Sequence, residues 1–340
     1  MARSSSPKTE VHRAAREGGA TASVGRERVH PPRGGADFRN SDPGRRWGLN
    51  AGSFDLKQQT SEIIGQWAQS APYWEKHRET IREMFAPVTQ ALIEDAHIRA
   101  GSNVLDVATG PGEPALTIAG LIGLEGKVVG TDVVPEMVDA ARREGHRLGL
   151  RNCSFQVAPA ESMPFPDAAF DAVVSRFGVM FFPSPAEAIR EWLRILKPGG
   201  KVALAVWHYA DKNPFFCVPS RVIDRYVAAN TPAPDSPDTF RFADRGKLED
   251  FLAEAGVAQR TERLLRFFIS ASISAEGFWM LRYEMSEKLR TRLSVLSQQE
   301  IAELKREVIA TLRGYASGSK MVFPAEVLIV SGEKRLLEPN

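Results

Sequence analysis

Between Asn103 and Trp207 short β-branched runs alternate with helical stretches, and that rhythm restricts the fold more than any other feature of the 340-residue chain. The runs are Asn103 to Val107, Lys127 to Asp132, Ser154 to Val157, Ala172 to Ser175 and Val202 to Trp207. Glu113 to Ile122 and Pro135 to Leu148 read as helices between them, the second with Met137, Ala140 and Ala141 on one face. Ser184-Pro185-Ala186-Glu187 predicts a capping box with proline in the first turn, and Lys197-Pro198-Gly199-Gly200 predicts a stop. Strand and helix in regular order imply an α/β fold, a doubly wound parallel sheet with helices on both faces.

The rhythm breaks after Trp207. Asn213 to Val227 reads as an amphipathic helix, residues 230–238 as a proline-rich loop and Asp244 to Ala255 as another helix, before a strand near Leu264 to Ile269. A helical pair follows, Ser274 to Leu293 and Ser297 to Leu312, the second opened by the capping box Ser297-Gln298-Gln299-Glu300. Ala325 to Val330 closes the sheet. The insertions near 213–240 and 274–315 interrupt the sheet pattern where a cap over a ligand would sit. Upstream, residues 53–100 read as a helical lead-in, with Tyr73, Trp74 and His77 among its aromatics, and the cofactor domain proper is expected over 101–335.

Residues 1–52 differ in kind. The first 50 carry ten Lys/Arg against five Asp/Glu and no apolar period, so a disordered basic tail is expected there. The whole chain has a net charge of only +2, which disfavours a general nucleic-acid binder. Two cysteines, Cys153 and Cys217, are too few for a disulfide framework or a thiolate zinc site, so no metal is expected. No apolar run approaches a membrane span, and the N-terminus lacks a signal-peptide core, so a cytoplasmic location is expected. Oligomeric state is not legible from the sequence.

The segment richest in chemistry is Val104-Leu105-Asp106-Val107-Ala108-Thr109-Gly110-Pro111-Gly112-Glu113-Pro114, an apolar strand running through an acid into a glycine turn. Glycines let backbone approach a ligand, and the following helix offers free N–H groups. Asp132 ends the next strand about 20 residues on, where a carboxylate can take both ribose hydroxyls. That spacing also suits a nicotinamide enzyme, but such a site wants a third glycine where this chain has Glu113-Pro114, and the extra carboxylate would repel a pyrophosphate. Asp106 suits a cationic ammonium instead. S-adenosyl-L-methionine has that ammonium, a ribose and no phosphate.

From about Trp67 to Val330 the chain resembles the class I S-adenosylmethionine-dependent methyltransferases, in particular the ubiquinone/menaquinone-biosynthesis group. The resemblance implies a Rossmann-like, seven-stranded, mostly parallel sheet. It implies a methionine-binding loop from Asp106 through Thr109 and Gly110 to Gly112, and a ribose acid at Asp132 with Val133 beside the adenine. Ala160-Glu161-Ser162-Met163-Pro164-Phe165 resembles the adenine-side loop, but Pro159 stands where relatives carry an aspartate that accepts from the adenine amino group. It also suggests that the lead-in segment holding Tyr73 folds over the cofactor.

Arg176, after the fourth run, faces the ligand crevice or makes a surface ion pair. His208, after the fifth, is a candidate base or a hydrogen-bonded loop residue. Tyr73, Phe216 and Trp279 are candidates for holding the acceptor, or core residues. The activity expected is methyl transfer to a small hydrophobic molecule; a non-catalytic cofactor-binding or regulatory protein on the same fold is the alternative that Pro159 keeps open.

Overall fold

The structure is a computed structural model that describes residues 52–229 and 232–336, with 52–60 by their helical backbone. The basic tail expected over 1–52 lies, but for its last residue, outside the described residues.

The expected alternation is present. Strand β1 (Asn103–Val107) leads to helix α3 (Ala115–Ile122), β2 (Lys127–Asp132), α4 (Pro135–Arg147), β3 (Cys153–Val157), β4 (Phe170–Arg176), α5 (Pro185–Ile195) and β5 (Leu196–Trp207). Five strands run parallel, and β8 (Lys320–Glu333) inserts antiparallel between β5 and β6 (Ala258–Ala271). The continuous order is β3-β2-β1-β4-β5-β8-β6, and a two-residue β7 (Ala316–Ser317) pairs with β8, giving eight strands rather than seven. Helices α3 and α4 pack on β2 and β3, while α2 (Arg78–Asp95) crosses β4, β5, β8 and β6. The inner strands are therefore apolar on both faces: Val104, Leu105, Val173, Val174 and residues 203–206 are buried.

The sheet order reverses between β1 and β4, so the loops leaving their C-terminal ends open a crevice between them. Two helices roof it from upstream, α1 (Gly52–Lys76) and α2. Helix α2 joins the main core through Met84, Phe85, Val88 and Leu92. Helix α1 instead forms a separate small cluster, with Ala71 against Val134 and Met137 of the α4 entrance, and Ile64, Trp67 and Trp74 alongside.

The cap departs in detail from its sequence pattern. Helix α6 (Pro214–Ile223) ends earlier than expected, and α7 (Lys247–Ala255) starts only after Gly246 at φ 82°. The stretch from Ser274 to Leu293 is not one helix but two, α8 (Ala275–Met285) and α9 (Glu287–Leu293). Ser286 lies between them in extended backbone and accepts a hydrogen bond from the Leu289 N–H, so a serine inside the apolar period acts as a cap. Ser184 makes no side-chain cap at α5.

The second expected box is formed. Ser297 Oγ accepts from the Glu300 N–H at 3.3 Å and Glu300 Oε2 accepts from the Ser297 N–H at 2.8 Å, opening α10 (Gln298–Leu312). Ser297→Ala should therefore lower the unfolding free energy by about 1 kcal/mol, read from the denaturant midpoint at unchanged slope.

Candidate functional site

The glycine turn is shaped by Asp106, which is fully buried. Its Oδ2 accepts from Thr109 Oγ1 at 2.6 Å and from the Ala115 N–H at 3.1 Å, tying the end of β1 to the first residue of α3. The Thr109 N–H reaches the Thr131 carbonyl at 2.9 Å, and the Gly110 N–H reaches Asp132 Oδ2 at 2.9 Å. The loop is thus fastened from two neighbouring strands. Gly110 sits at φ 54°, and a Cβ placed on it would meet nothing within 4 Å, so its bare backbone faces open space. Gly112, at φ 111°, serves packing: a Cβ there would come within 2.6 Å of Leu116.

The crevice is one cavity of about 320 Å³. Along the cofactor edge Thr109, Gly110, Asp132, Val133, Ala160, Glu161 and Arg176 line it, all expected there from the sequence. Asp106 and Gly112 do not; they act on the loop from behind. Asp132 Oδ1 accepts from the Val134 N–H at 3.0 Å. Burial raises the Asp132 carboxyl above the usual range, while the N–H groups of Val134, Gly110 and Val133 pull it back. The adenine-side loop is held by α5: Trp192 Nε1 donates to the Ala160 carbonyl at 3.2 Å, Glu191 Oε1 accepts from the Met163 N–H at 2.8 Å, and Arg194 donates to the Phe165 carbonyl at 2.9 Å. Pro159 lines the cavity without a polar side chain to offer, but Glu161 Oε1 is buried there with no hydrogen-bond partner, and burial raises its carboxyl.

Arg176 is half-buried and bonded inside the molecule rather than part of a surface pair. Its Nη1 donates to Thr89 Oγ1 of α2 at 2.8 Å and its Nη2 lies 3.4 Å from the Glu113 carbonyl, so it joins the roof to the glycine loop. Burial lowers its pKa, opposed by the charges of Glu113 and Asp106.

Four expected positions fall differently. His208 does not line the cavity; its Nδ1 lies 2.8 Å from Glu326 Oε2 on β8, and Asn213 Nδ2 donates to its carbonyl at 3.2 Å. Because His208 follows β5 directly, its side chain is drawn to the antiparallel neighbour rather than the crevice. Tyr73 lies under the Arg290 guanidinium, 5.0 Å from ring centroid to Cζ, and Trp279 is buried beside Tyr283. Neither lines the cavity. His77, from the aromatic lead-in, pairs with Glu284 Oε2 at 2.6 Å. Phe216 does line it, in a wall with Phe85, Phe177, Phe181, Trp207 and Phe215. Arg282 lies in the same wall and was not singled out from the sequence, although a charge four residues past Phe278 and three before Met285, inside the buried stripe of α8, is a legible anomaly.

A glycine turn fastened to two strands, a carboxylate at the next strand end and a third loop over one crevice define a Rossmann-like domain for a nucleoside cofactor. The family described as methyltransferase domain matches residues 105–204. The ubiquinone/menaquinone biosynthesis C-methyltransferase UbiE of Pseudomonas putida (strain GB-1) is 33% identical over 178 residues, covering 48% of this chain and 68% of that protein. Aklanonic acid methyltransferase DauC of Streptomyces sp. (strain C5) is 36% identical over 121 residues, covering 36% of this chain and 55% of that protein. The crystal structure of YcgJ from Bacillus subtilis aligns at a TM-score of 0.48 and 21% identity, covering 73% of this chain and 97% of that chain. The chain belongs to the S-adenosylmethionine-dependent methyltransferase family. It spans about half the length of the first curated relatives it matches, and the family match ends at Leu204, before the cap.

Burial pushes the Asp106 carboxyl up to about 7, against the pull of Thr109, Arg176 and the Ala115 N–H. A folded pKa above the unfolded one means that the fold favours the protonated acid. The resulting stabilisation is complete below about pH 4 and is lost as pH rises through about 7. Asp106→Asn, which cannot ionise, should remove that loss. Between pH 5 and 8 the unfolding free energy of the native protein should fall by up to about 3 kcal/mol more than that of the variant.

Proposed function

We propose that the protein transfers the methyl group of S-adenosylmethionine to a small, largely apolar acceptor. The observation that carries this reading is continuity: the loop edge and the aromatic wall of the cap bound the same cavity, so a cofactor held by the loops has its reactive end against the cap. The residues fit that cofactor, given the open space before Gly110 and the unpartnered Glu161 Oε1. Asp132 would accept hydrogen bonds from the ribose hydroxyls, and Val133 and Ala160 would flank the base. Glu161 would accept from the adenine amino group in place of the carboxylate that position 159 lacks. That role for Glu161 favours the catalytic reading over a non-catalytic binding protein.

S-adenosylmethionine supplies a methyl group on a sulfonium, which a nucleophile can displace in line without a covalent enzyme intermediate. What the chain adds is alignment and exclusion of water. Phe177 stacks on Trp207, 4.4 Å apart at 3°, and Phe216 meets Trp207 edge-on at 4.8 Å and 80°, an arrangement that limits the poses open to a flat acceptor. Holding two reactants in register removes much of the entropic barrier. His208 is turned to Glu326, so we propose transfer without a histidine base.

Incubation with methyl-labelled cofactor and a fractionated extract, followed by identification of the labelled product, tests the activity; absence of any labelled product would refute it. Asp132→Ala should weaken cofactor binding in isothermal titration by about 10- to 100-fold, the loss of roughly 1.5–3 kcal/mol in hydrogen bonds to a charged acceptor. Unchanged affinity would remove Asp132 from the ribose site. His208→Ala should leave turnover within about threefold and its pH profile unaltered, whereas removal of a base would cost about 10²- to 10⁴-fold.

A further inference from the structure

Arg282 carries a charge that nothing among the described residues balances. Its Nε is shut off from solvent, and its guanidinium has neither a hydrogen-bond nor an ion-pair partner there. Three other arginines have a shielded Nε, and each is held by a second contact. Arg78 faces Glu144 Oε2 at 3.0 Å, Arg241 donates to the Phe182 carbonyl at 2.6 Å, and Arg292 donates to Asp224 Oδ1 at 2.7 Å.

What surrounds Arg282 instead is aromatic. Its Cζ lies 4.7 Å from the Phe215 ring centroid and 4.6 Å from that of Phe216. Ring faces attract a cation but accept none of the five N–H donors of a guanidinium in full hydrogen bonds. Burial alone lowers its pKa to about 10, with no neighbouring charge opposing, and at neutral pH it remains a cation. The nearest acid along α8, Glu284, is taken by Lys76 and His77. A half-buried charge with a shielded Nε and no partner is expensive, and it persists where a ligand completes it.

The unsatisfied polar atoms around the cavity are sorted by sign. On the cofactor side the unsatisfied atom is an acceptor, Glu161 Oε1. On the roof and cap they are donors, Trp74 Nε1 and Arg282 Nε, and both residues line the cavity. The cap side therefore asks for an anion.

We propose that the methyl acceptor is an apolar or aromatic molecule bearing a carboxylate, and that Arg282 receives that carboxylate. The proposal rests on the methyl-transfer reading above and narrows its acceptor. A carboxylate matches one guanidinium in charge and in its fork of donors. A phosphate dianion would carry a second charge into a wall of Phe215, Phe216 and Met285, which has no donor for it.

Isothermal titration of 2-naphthoate and of its neutral analogue 2-naphthamide into the full-length protein, saturated with S-adenosylhomocysteine, tests the preference. The native protein should bind the acid at least about tenfold more tightly than the amide. Arg282→Met should erase that preference, and Arg282→Lys should keep part of it, while S-adenosylhomocysteine affinity stays within about threefold in both. Should Arg282→Met fail to fold, Arg282→Gln provides the same comparison. Equal affinity for acid and amide, no binding of either, or a preference that survives in Arg282→Met overturns the proposal. So does a loss of S-adenosylhomocysteine affinity in Arg282→Met that 5′-methylthioadenosine, which lacks the amino-acid carboxylate, does not share; Arg282 would then belong to the cofactor. Failure of the native protein to bind S-adenosylhomocysteine at all would instead overturn the methyl-transfer reading, and the two failures are thereby distinguishable.

Discussion

A single buried carboxyl holds the cofactor edge together. Asp106 sits at the point where β1 becomes loop, and through Thr109 Oγ1 and the Ala115 N–H it brings the far end of that loop back onto the strand that produced it. Thr109 and Gly110 are then close enough to fasten to β2 and its terminal Asp132. The position of Asp132, the entrance to α3 and the bare backbone of Gly110 all follow from this closure. Its cost is visible in the same residue, since burying the carboxyl raises its pKa toward neutrality.

The geometry also divides the cavity between two kinds of partner. Parallel strands deliver loops with exposed N–H groups and carboxylates to one edge, a surface suited to an amino acid, a sugar and a base. The cap delivers aromatic rings and one cation. Because the family match stops at Leu204, the cap side of the cavity lies in the part of the chain for which family likeness says least. Phe216 and Arg282 have to be argued from their surroundings.

How much of this was legible depended on the range of the interactions concerned. The bounds of β1 and β2, the glycine turn and the Ser297 capping box are local patterns, and the structure places them where the sequence puts them. Misreadings arose where a distant residue competed for a local group. Ser286 breaks a helix that apolar spacing alone would continue. His208 points away from the crevice because β8, more than 100 residues later in sequence, brings Glu326 beside it. Tyr73 and Trp279 are aromatics at helical spacing that serve packing rather than the cavity. Arg282 was passed over because a charge on an amphipathic helix ordinarily marks its solvent face, and only the packed structure puts this one among rings.

The long pairing of β6 with β8 has a consequence for how such a protein can change. Their ladder runs out to Ala271 opposite Met321, so the chain leaves the sheet and re-enters it at adjacent rungs, with residues 272–319 spanning the gap as α8, α9, α10 and the β7 turn. An excursion stitched at its base is closed whatever its contents. Since closure entropy grows only slowly, doubling its length would cost about 0.6 kcal/mol. This stretch, which puts Arg282, Met285 and Ser286 on the cavity, can therefore be rewritten, lengthened or exchanged while the register of the sheet beneath it stays the same.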